Sequence, residues 1–315
     1  MIEIPPAFLQ RMHELHGEAG LAWAEALPGL IAECAARFDF RSVAPFPDLT
    51  WNFILLGKDA EDRSIVLKAS FLKDELAREV RVLRAYAGHG GVRVLDADES
   101  WGVAVLEGVV PGTPLSTIED DERATAVFCE VFRRLHSQDL PVDGVFPTLL
   151  QHFAAMERYR LKRVEDKPQE TPLPEKWVET AEVYLADLLA STQEPLLLLH
   201  GDLHHYNLLL RGENQWMVID PKGVVGDVHF ETIQYLLNFE DRGGDRESLL
   251  LRRIAMMADR LGLDPQRIAM WGVARGVLEA CWTLEDGGAD WQKGIEITER
   301  FASVLDFYQN HSKLS

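Results

Sequence analysis

Cysteine is scarce: three in 315 residues, at Cys34, Cys129 and Cys281, far apart and odd in number. That argues against a disulfide framework and a Cys-x-x-Cys metal site, and reads as reduced, structural thiols. Basic residues are in deficit, 32 Lys and Arg against 51 Asp and Glu, for a formal net charge of −19. Nucleic acid and anionic membrane both reward basic surface, so neither is an expected partner. A cationic small molecule suits such a surface, although solubility alone accounts for the charge about as well. No apolar run approaches the roughly 18 residues of a membrane span. The opening MIEIPPAFLQRMHELHGEAG has no basic stretch leading into an apolar core, so a cytoplasmic protein is expected. Two glycine signatures are also missing, G-x-x-x-x-G-K-[ST] and G-x-G-x-x-G, which disfavours a P-loop or Rossmann nucleotide site.

What is present is ordinary soluble-globular composition, 47% hydrophobic and 26% charged, in a chain long enough for two packed units. Residues 1–40 carry Phe8, Met12, Leu15, Leu27, Leu30, Ile31 and Cys34 at helical spacing and read as short helices. Between 51 and 70, WNFILLG, a charged turn and IVLKASF read as a β-hairpin closed by Lys68. Residues 74–87 are a helix, with Leu76, Val80, Leu83 and Tyr86 on one stripe, stopped by GHGG. VRVLDAD and GVAVLEGV are strand-like and VPGTPL is a turn, placing a boundary between a small β-rich lobe and a larger helical one near Glu107 to Gly112. Helices are expected over 119–137, 148–164 and 175–190, with the proline-rich KPQETPLP breaking regular structure between the last two. A strand PLLLL, a hairpin NLLLRGENQWMVID and further helices from about 229 complete the chain. No internal repeat or low-complexity tract appears.

The densest chemistry lies in His200-Gly201-Asp202-Leu203-His204-His205-Tyr206-Asn207, followed by Val218-Ile219-Asp220-Pro221-Lys222-Gly223. Phosphoryl transfer needs a carboxylate at the acceptor hydroxyl, oxygen ligands for Mg²⁺ and a fixed cation on the nucleotide phosphates. The protein-kinase segment H-R-D-x-x-x-x-N followed by D-F-G has the spacing of Asp202 to Asn207, with Asp220 at the later Asp. Any one of these residues alone reads as a loop cap or turn former. Together with a β-strand Lys upstream they point to a phosphotransferase. Lys68 ends Ile65-Val66-Leu67-Lys68, which resembles the kinase V-A-I-K strand, and either Glu75 or Glu79 on the next helix is in position to orient it. Main-chain groups from Leu106 through Glu107 to Val109 suit adenine, and Asp48-Leu49-Thr50-Trp51-Asn52 is the candidate cover for the phosphates. His204 and His205 lack a metal-site spacing and read as loop hydrogen bonders.

With LLLHGDLHHYN, IDPKGVVGD and LEGVVPGTPL assembled, the chain resembles the aminoglycoside phosphotransferase superfamily over about residues 40–240, in its streptomycin 6-kinase and hydroxyurea phosphotransferase branch. The resemblance implies an α+β, protein-kinase-like two-lobe fold. Residues 1–110 would form a nucleotide-binding N-lobe with a helical extension, and 111–315 a helical C-lobe carrying the catalytic loop and the substrate site. It implies ATP-dependent phosphorylation of a hydroxyl on a small molecule. Asp202 would be the catalytic base, Asn207 and Asp220 the Mg²⁺ ligands, and Lys68 the α/β-phosphate contact paired with Glu79. His200 would shape the catalytic loop, Asn52, Glu107 and Val109 would serve the nucleotide, and Lys222 would touch phosphate or form a structural salt bridge.

Two departures leave the acceptor open: Tyr206 where many members carry Gly, and His229-Phe230-Glu231 in place of small and proline residues. For the acceptor, Glu279, Trp282, Thr283 and Asp286 fall at i, i+3, i+4 and i+7, an acidic face with an aromatic that suits a guanidinium or ammonium group. Packing against a neighbouring helix is the plainer explanation for Trp282. Glu231 and Glu240-Asp241 are further acceptor candidates. A metabolic kinase acting on an amino alcohol, sugar or hydroxamate-like acceptor, and a nucleotide-binding regulator without catalysis, are the competing readings.

Overall fold

A computed structural model describes residues 2–137, 144–165, 171–192, 195–238 and 244–311. The chain opens with α1 (Pro6–Arg37), kinked at Gly17, whose φ of 63° lies in the left-handed region. Strands β1 (Phe40–Pro45), β2 (Phe53–Asp59) and β3 (Ser64–Ala69) follow, then α2 (Lys73–Ala85), β4 (Val94–Asp98), β5 (Val103–Glu107) and β6 (Pro111–Pro114). Next come α3 (Asp121–Leu135), α4 (Leu149–His152), α5 (Ala154–Val164) and α6 (Glu175–Ser191). The strands β7 (Leu197–Leu199), β8 (Leu208–Arg211), β9 (Gln215–Val218) and β10 (Val224–Gly226) lead through a 3₁₀ segment, Val228–Thr232, into α7 (Ile233–Leu236). The helices α8 (Arg246–Leu261), α9 (Pro265–Glu285) and α10 (Gln292–His311) close the chain.

Two compact units result, Met1–Pro114 with Leu208–Lys222, and Leu115–Asn207 with Gly223–Ser315. The division expected at 110 and 111 therefore moves to Pro114. The stretch 208–222, expected in the second lobe, belongs to the first, because the segment read as a turn forms β6 and pairs with β8.

In the first unit five antiparallel strands run in the order β1-β2-β3-β5-β4. The period-2 alternation of strand side chains sorts them between two helices. Phe53, Leu55, Ile65, Leu67, Val103 and Val105 join Phe8, Met12, Leu27 and Ile31 of α1 in one core cluster. Val66, Ala104 and Leu106 point the other way and meet Leu76, Val80 and Leu83 of α2. Lys68 shares the parity of Val66, so its side chain emerges on the face that α2 covers. The short helices expected over 1–40 are present as two helical segments that meet at the non-helical Gly17, whereas β1 adds an edge strand where none was expected.

In the second unit α9 is buried along nearly its whole length, through Trp271, Val273, Ala274, Val277, Leu278 and Cys281. A helix apolar on every side belongs at the centre of a helical layer. The α10 helix lies against it along a seam of small residues, and α6 packs beside it. The short strands β7 and β10 pair with Val224 opposite Leu199, and β7 runs directly into His200. The expected helix 148–164 is divided into α4 and α5 at Phe153. Among the described residues no helix is long and apolar enough to cross a membrane.

Candidate functional site

In the first unit Lys68 Nζ donates to Glu79 Oε2 at 2.7 Å and to Asp220 Oδ1 at 2.8 Å, and Lys68 is only 3% exposed. Burial favours losing the proton, but the charges of Asp220 and Glu79 outweigh it and keep Lys68 an ammonium well above its usual range. Burial pushes the Glu79 carboxyl up to about 7 against the pull of Lys68, with the charge of Asp220 adding to the rise. Glu75 is exposed, so Glu79 is the helix carboxylate at the lysine. Asp220 has a φ of 59°, a conformation that costs a non-glycine residue energy and recurs at functional positions. Its side chain is 47% exposed, and a carboxylate is the oxygen ligand type a hard cation selects. Lys222 is exposed, and its charge is felt at Glu79.

The remaining nucleotide candidates lie in the same unit. The Glu107 carboxylate is committed to Arg93 at 3.0 Å and Arg211 at 2.6 Å, and its N–H donates to the Arg93 carbonyl. The Glu107 side chain is therefore a structural anchor for the strand end, and the nucleotide contact expected of this stretch is one of main-chain groups. Val109 packs partly buried on the α2-side core, and its main chain makes no hydrogen bond among the described residues. Asn52 is partly exposed immediately before β2.

In the second unit the loop after β7 is held by its own backbone. The N–H groups of His200 and Gly201 donate to the two Glu231 oxygens at 2.6 and 3.0 Å, and Gly223 N–H caps the His200 carbonyl at 3.1 Å. Asp202 N–H donates to His200 Nδ1 at 3.3 Å, which gives the buried His200 a loop-shaping contact. The Asp202 carboxylate accepts from Gln234 Nε2 at 3.2 Å and lies 3.6 Å from His204 Nε2. Asn207 Nδ2 donates to the Asp202 carbonyl at 2.9 Å. That bond assigns the amide orientation and leaves Asn207 Oδ1 as the kind of oxygen donor Mg²⁺ selects. His204 Nδ1 accepts from Tyr206 N–H, while His205 is buried and stacked on Tyr235 with ring centroids 4.1 Å apart.

The family model for aminoglycoside/hydroxyurea antibiotic resistance kinases matches residues 52–287. The chain belongs to this family. As an antibiotic resistance kinase it is a phosphotransferase with an alcohol group as acceptor. A streptomycin 6-kinase from Streptomyces griseus is 28% identical over 291 residues, covering 91% of this chain and 92% of the relative. A hydroxyurea phosphotransferase from Kitasatospora aureofaciens is 30% identical over 291 residues, covering 91% and 82%. Among solved structures, aminoglycoside phosphotransferase APH(4)-Ia superposes with a TM-score of 0.64 at 15% identity, covering 89% of this chain and 98% of that one. Choline kinase LicA from Streptococcus pneumoniae gives 0.59 at 16% identity, covering 90% and 99%. These likenesses establish the protein-kinase-like fold.

The acceptor candidates fare differently in this resistance kinase. Glu231 is wholly buried and engaged by the loop N–H groups, with His136 Nε2 at 3.3 Å, which corrects its assignment as a substrate residue. Burial pushes its carboxyl up, but the close contact and charge of His136, the charge of His200 and the Gly201 N–H outweigh this and hold it below its usual range. Glu279 accepts from Arg275 at 2.7 Å, and the same guanidinium lies 4.8 Å from the Trp282 ring centroid. The protein's own Arg275 thus fills the place expected of a substrate cation, which corrects Glu279 and Trp282 as acceptor groups. Trp282 also meets His152 edge-on at 5.2 Å. Asp286 is exposed just past the end of α9. Glu240 and Asp241 lie outside the described residues. Tyr206, 55% exposed, is the one large side chain turned to solvent in the His200–Asn207 segment. Gln234 carries no motif of its own, and only its place three residues after Glu231 would have drawn attention to it.

Proposed function

We propose that this kinase transfers the γ-phosphoryl group of ATP to a hydroxyl of a streptomycin-like aminoglycoside. The observation that carries the proposal is the Asp202 carboxylate, presented on a loop whose backbone is clamped by a buried carboxylate. The acceptor oxygen attacks the γ-phosphorus and forms the new O–P bond while the bond to the bridging oxygen of ADP breaks. Asp202 orients that hydroxyl and takes its proton. Lys68, kept charged by Glu79 and Asp220, serves the α/β-phosphates as a fixed cation, and the main chain at Val109 serves adenine. Asn207 and Asp220 would each offer Mg²⁺ an oxygen ligand of the type it selects, and the ion would supply charge neutralisation on the phosphate oxygens. The formal charge of −19 favours a cationic acceptor.

The retained Lys68, Asp202, Asn207 and Asp220 weigh against a regulator without catalysis. Hydroxyurea-type acceptors are the second reading, favoured by the 30% identical phosphotransferase. Coupled ADP release measured across streptomycin, other aminoglycosides, hydroxyurea and choline separates the two. Turnover with streptomycin above the ATPase background is expected, and turnover confined to hydroxyurea or choline would overturn the aminoglycoside assignment.

A further inference from the structure

We infer that Gln234 is a positioning residue for phosphoryl transfer: its amide holds the Asp202 carboxylate in the orientation that receives the acceptor hydroxyl. The inference rests on the assignment of Asp202 as the base. Only a donor faces an ionised carboxylate stably, so Gln234 Nε2, at 3.2 Å from Asp202 Oδ1, is the amide atom turned to it.

The rail that carries Gln234 is pinned at both ends. At its start the buried Asp227 carboxylate accepts from His229 Nδ1 at 2.7 Å, Arg267 Nε at 2.5 Å and Trp271 Nε1 at 2.6 Å. At its finish the buried Arg253 donates to the carbonyls of Tyr235 and Asn238 at 3.4 and 2.7 Å, and Asp121 holds that guanidinium at 2.6 Å. Unpaired C-terminal carbonyls normally fray so short a helix; here a fixed cation satisfies them.

Between those pins, Glu231, Gln234 and Tyr235 stand at i, i+3 and i+4, on one face of a helical turn. Each engages a different part of the catalytic loop. Glu231 takes the N–H groups of His200 and Gly201, Tyr235 takes the ring of His205, and Gln234 takes the Asp202 side chain. Glu231 fixes the backbone and Tyr235 seats the His205 side chain. Asp202 keeps two side-chain torsions; His204 approaches its carboxylate at 3.6 Å from within the loop, and Gln234 adds a restraint from a pinned helical turn outside it. A freely rotating carboxylate spends less time in line with the acceptor, which lowers turnover without weakening either substrate's binding.

The test compares Gln234→Met, which keeps length but removes the donor, with Gln234→Glu, which adds like charge, in wild-type and Asp202→Ala backgrounds. Residual transfer in the latter is followed with labelled ATP over long incubations. In the wild-type background Gln234→Met should lower kcat by about tenfold and Gln234→Glu by more, with both KM values and the melting temperature little changed. With Asp202→Ala, Gln234→Met should cost nothing further. An unchanged kcat, a loss that tracks the melting temperature, or the same fractional loss in both backgrounds would overturn the role of Gln234. Full turnover by Asp202→Ala alone would instead overturn the base assignment, and the inference with it.

Discussion

At Glu231 burial separates two tasks open to a carboxylate. The sequence places an acidic residue after IDPKGVVGD, where an acceptor contact is a reasonable expectation, and nothing in residue type distinguishes that from a structural clamp. The backbone decides, because two consecutive N–H groups at the turn into the catalytic loop need an acceptor. Removing it with Glu231→Ala strands both donors and should lower unfolding stability by about 3 kcal/mol, seen as a lower urea midpoint together with reduced kcat. Glu231→Gln keeps one acceptor and should lose less. Acid acts on the same residues. Burial pushes the Asp227 carboxyl up, but the donors of His229 and Trp271 and the charge of His229 outweigh it and hold the carboxyl far below its ordinary range; Glu231 too is held below its own. A depressed native pKa favours folding above the unfolded value of about 4 and loses that contribution as pH falls through the native value. His152, depressed to about 4 by burial and the charge of Arg275, widens the window upward, because the unfolded chain takes its proton first, from about pH 6.5. Glu79, raised to about 7, acts in the opposite sense, because the native state holds its proton from about pH 7 while the unfolded chain takes it up only near 4, so it offsets His152 over that range. Melting temperature should therefore fall chiefly below about pH 4, and Asp227→Asn should flatten that part of the curve. A melting temperature that stays flat as pH falls below about 4 would contradict this account of the buried acids.

Among the elements, those with a strong period or a glycine stop are legible from sequence alone. The β2–β3 hairpin, α2, α6 and the β8–β9 hairpin fall close to their expected bounds, because their apolar residues repeat at 2 or 3.6 and their turns are charged or glycine-bearing. Less legible are β1, β6 and β10, each three to six residues long; β6 and β10 are ordered by strands that are not their chain neighbours, while β1 pairs with the adjacent β2. The α9–α10 contact depends on small residues, which periodicity does not weight. A Cβ on Gly272 would lie 2.1 Å from the Phe301 ring, and one on Gly276 would lie 2.6 Å from Thr298 N and 2.7 Å from the Gly294 carbonyl. Backbone atoms have nowhere to yield, so Gly276→Ala should destabilise by about 1–3 kcal/mol despite alanine's better helix propensity. A thermal melt checks the sign: a stabilised variant would mean the helices separate more easily than this seam implies.

Over the whole molecule, motif spacing in the sequence makes the reaction legible, while acceptor recognition is not. Asp202, Asn207, Asp220 and Lys68 stand out because phosphoryl transfer constrains their types and intervals. Gln234 stays hidden because its contribution depends on a helical turn pinned from both sides by Asp227 and Arg253. The Glu279–Trp282 face misleads because Arg275, on the same helix, satisfies it internally. The most direct test of the central claim is transfer of labelled γ-phosphate from ATP to streptomycin, with the product resolved by mass and phosphorus NMR, for wild type and Asp202→Ala side by side. The account predicts a singly phosphorylated streptomycin from the wild type and at least a hundredfold slower formation from the variant. Equal rates from the two proteins, or no phosphorylated product from a wild type that binds ATP, would contradict it.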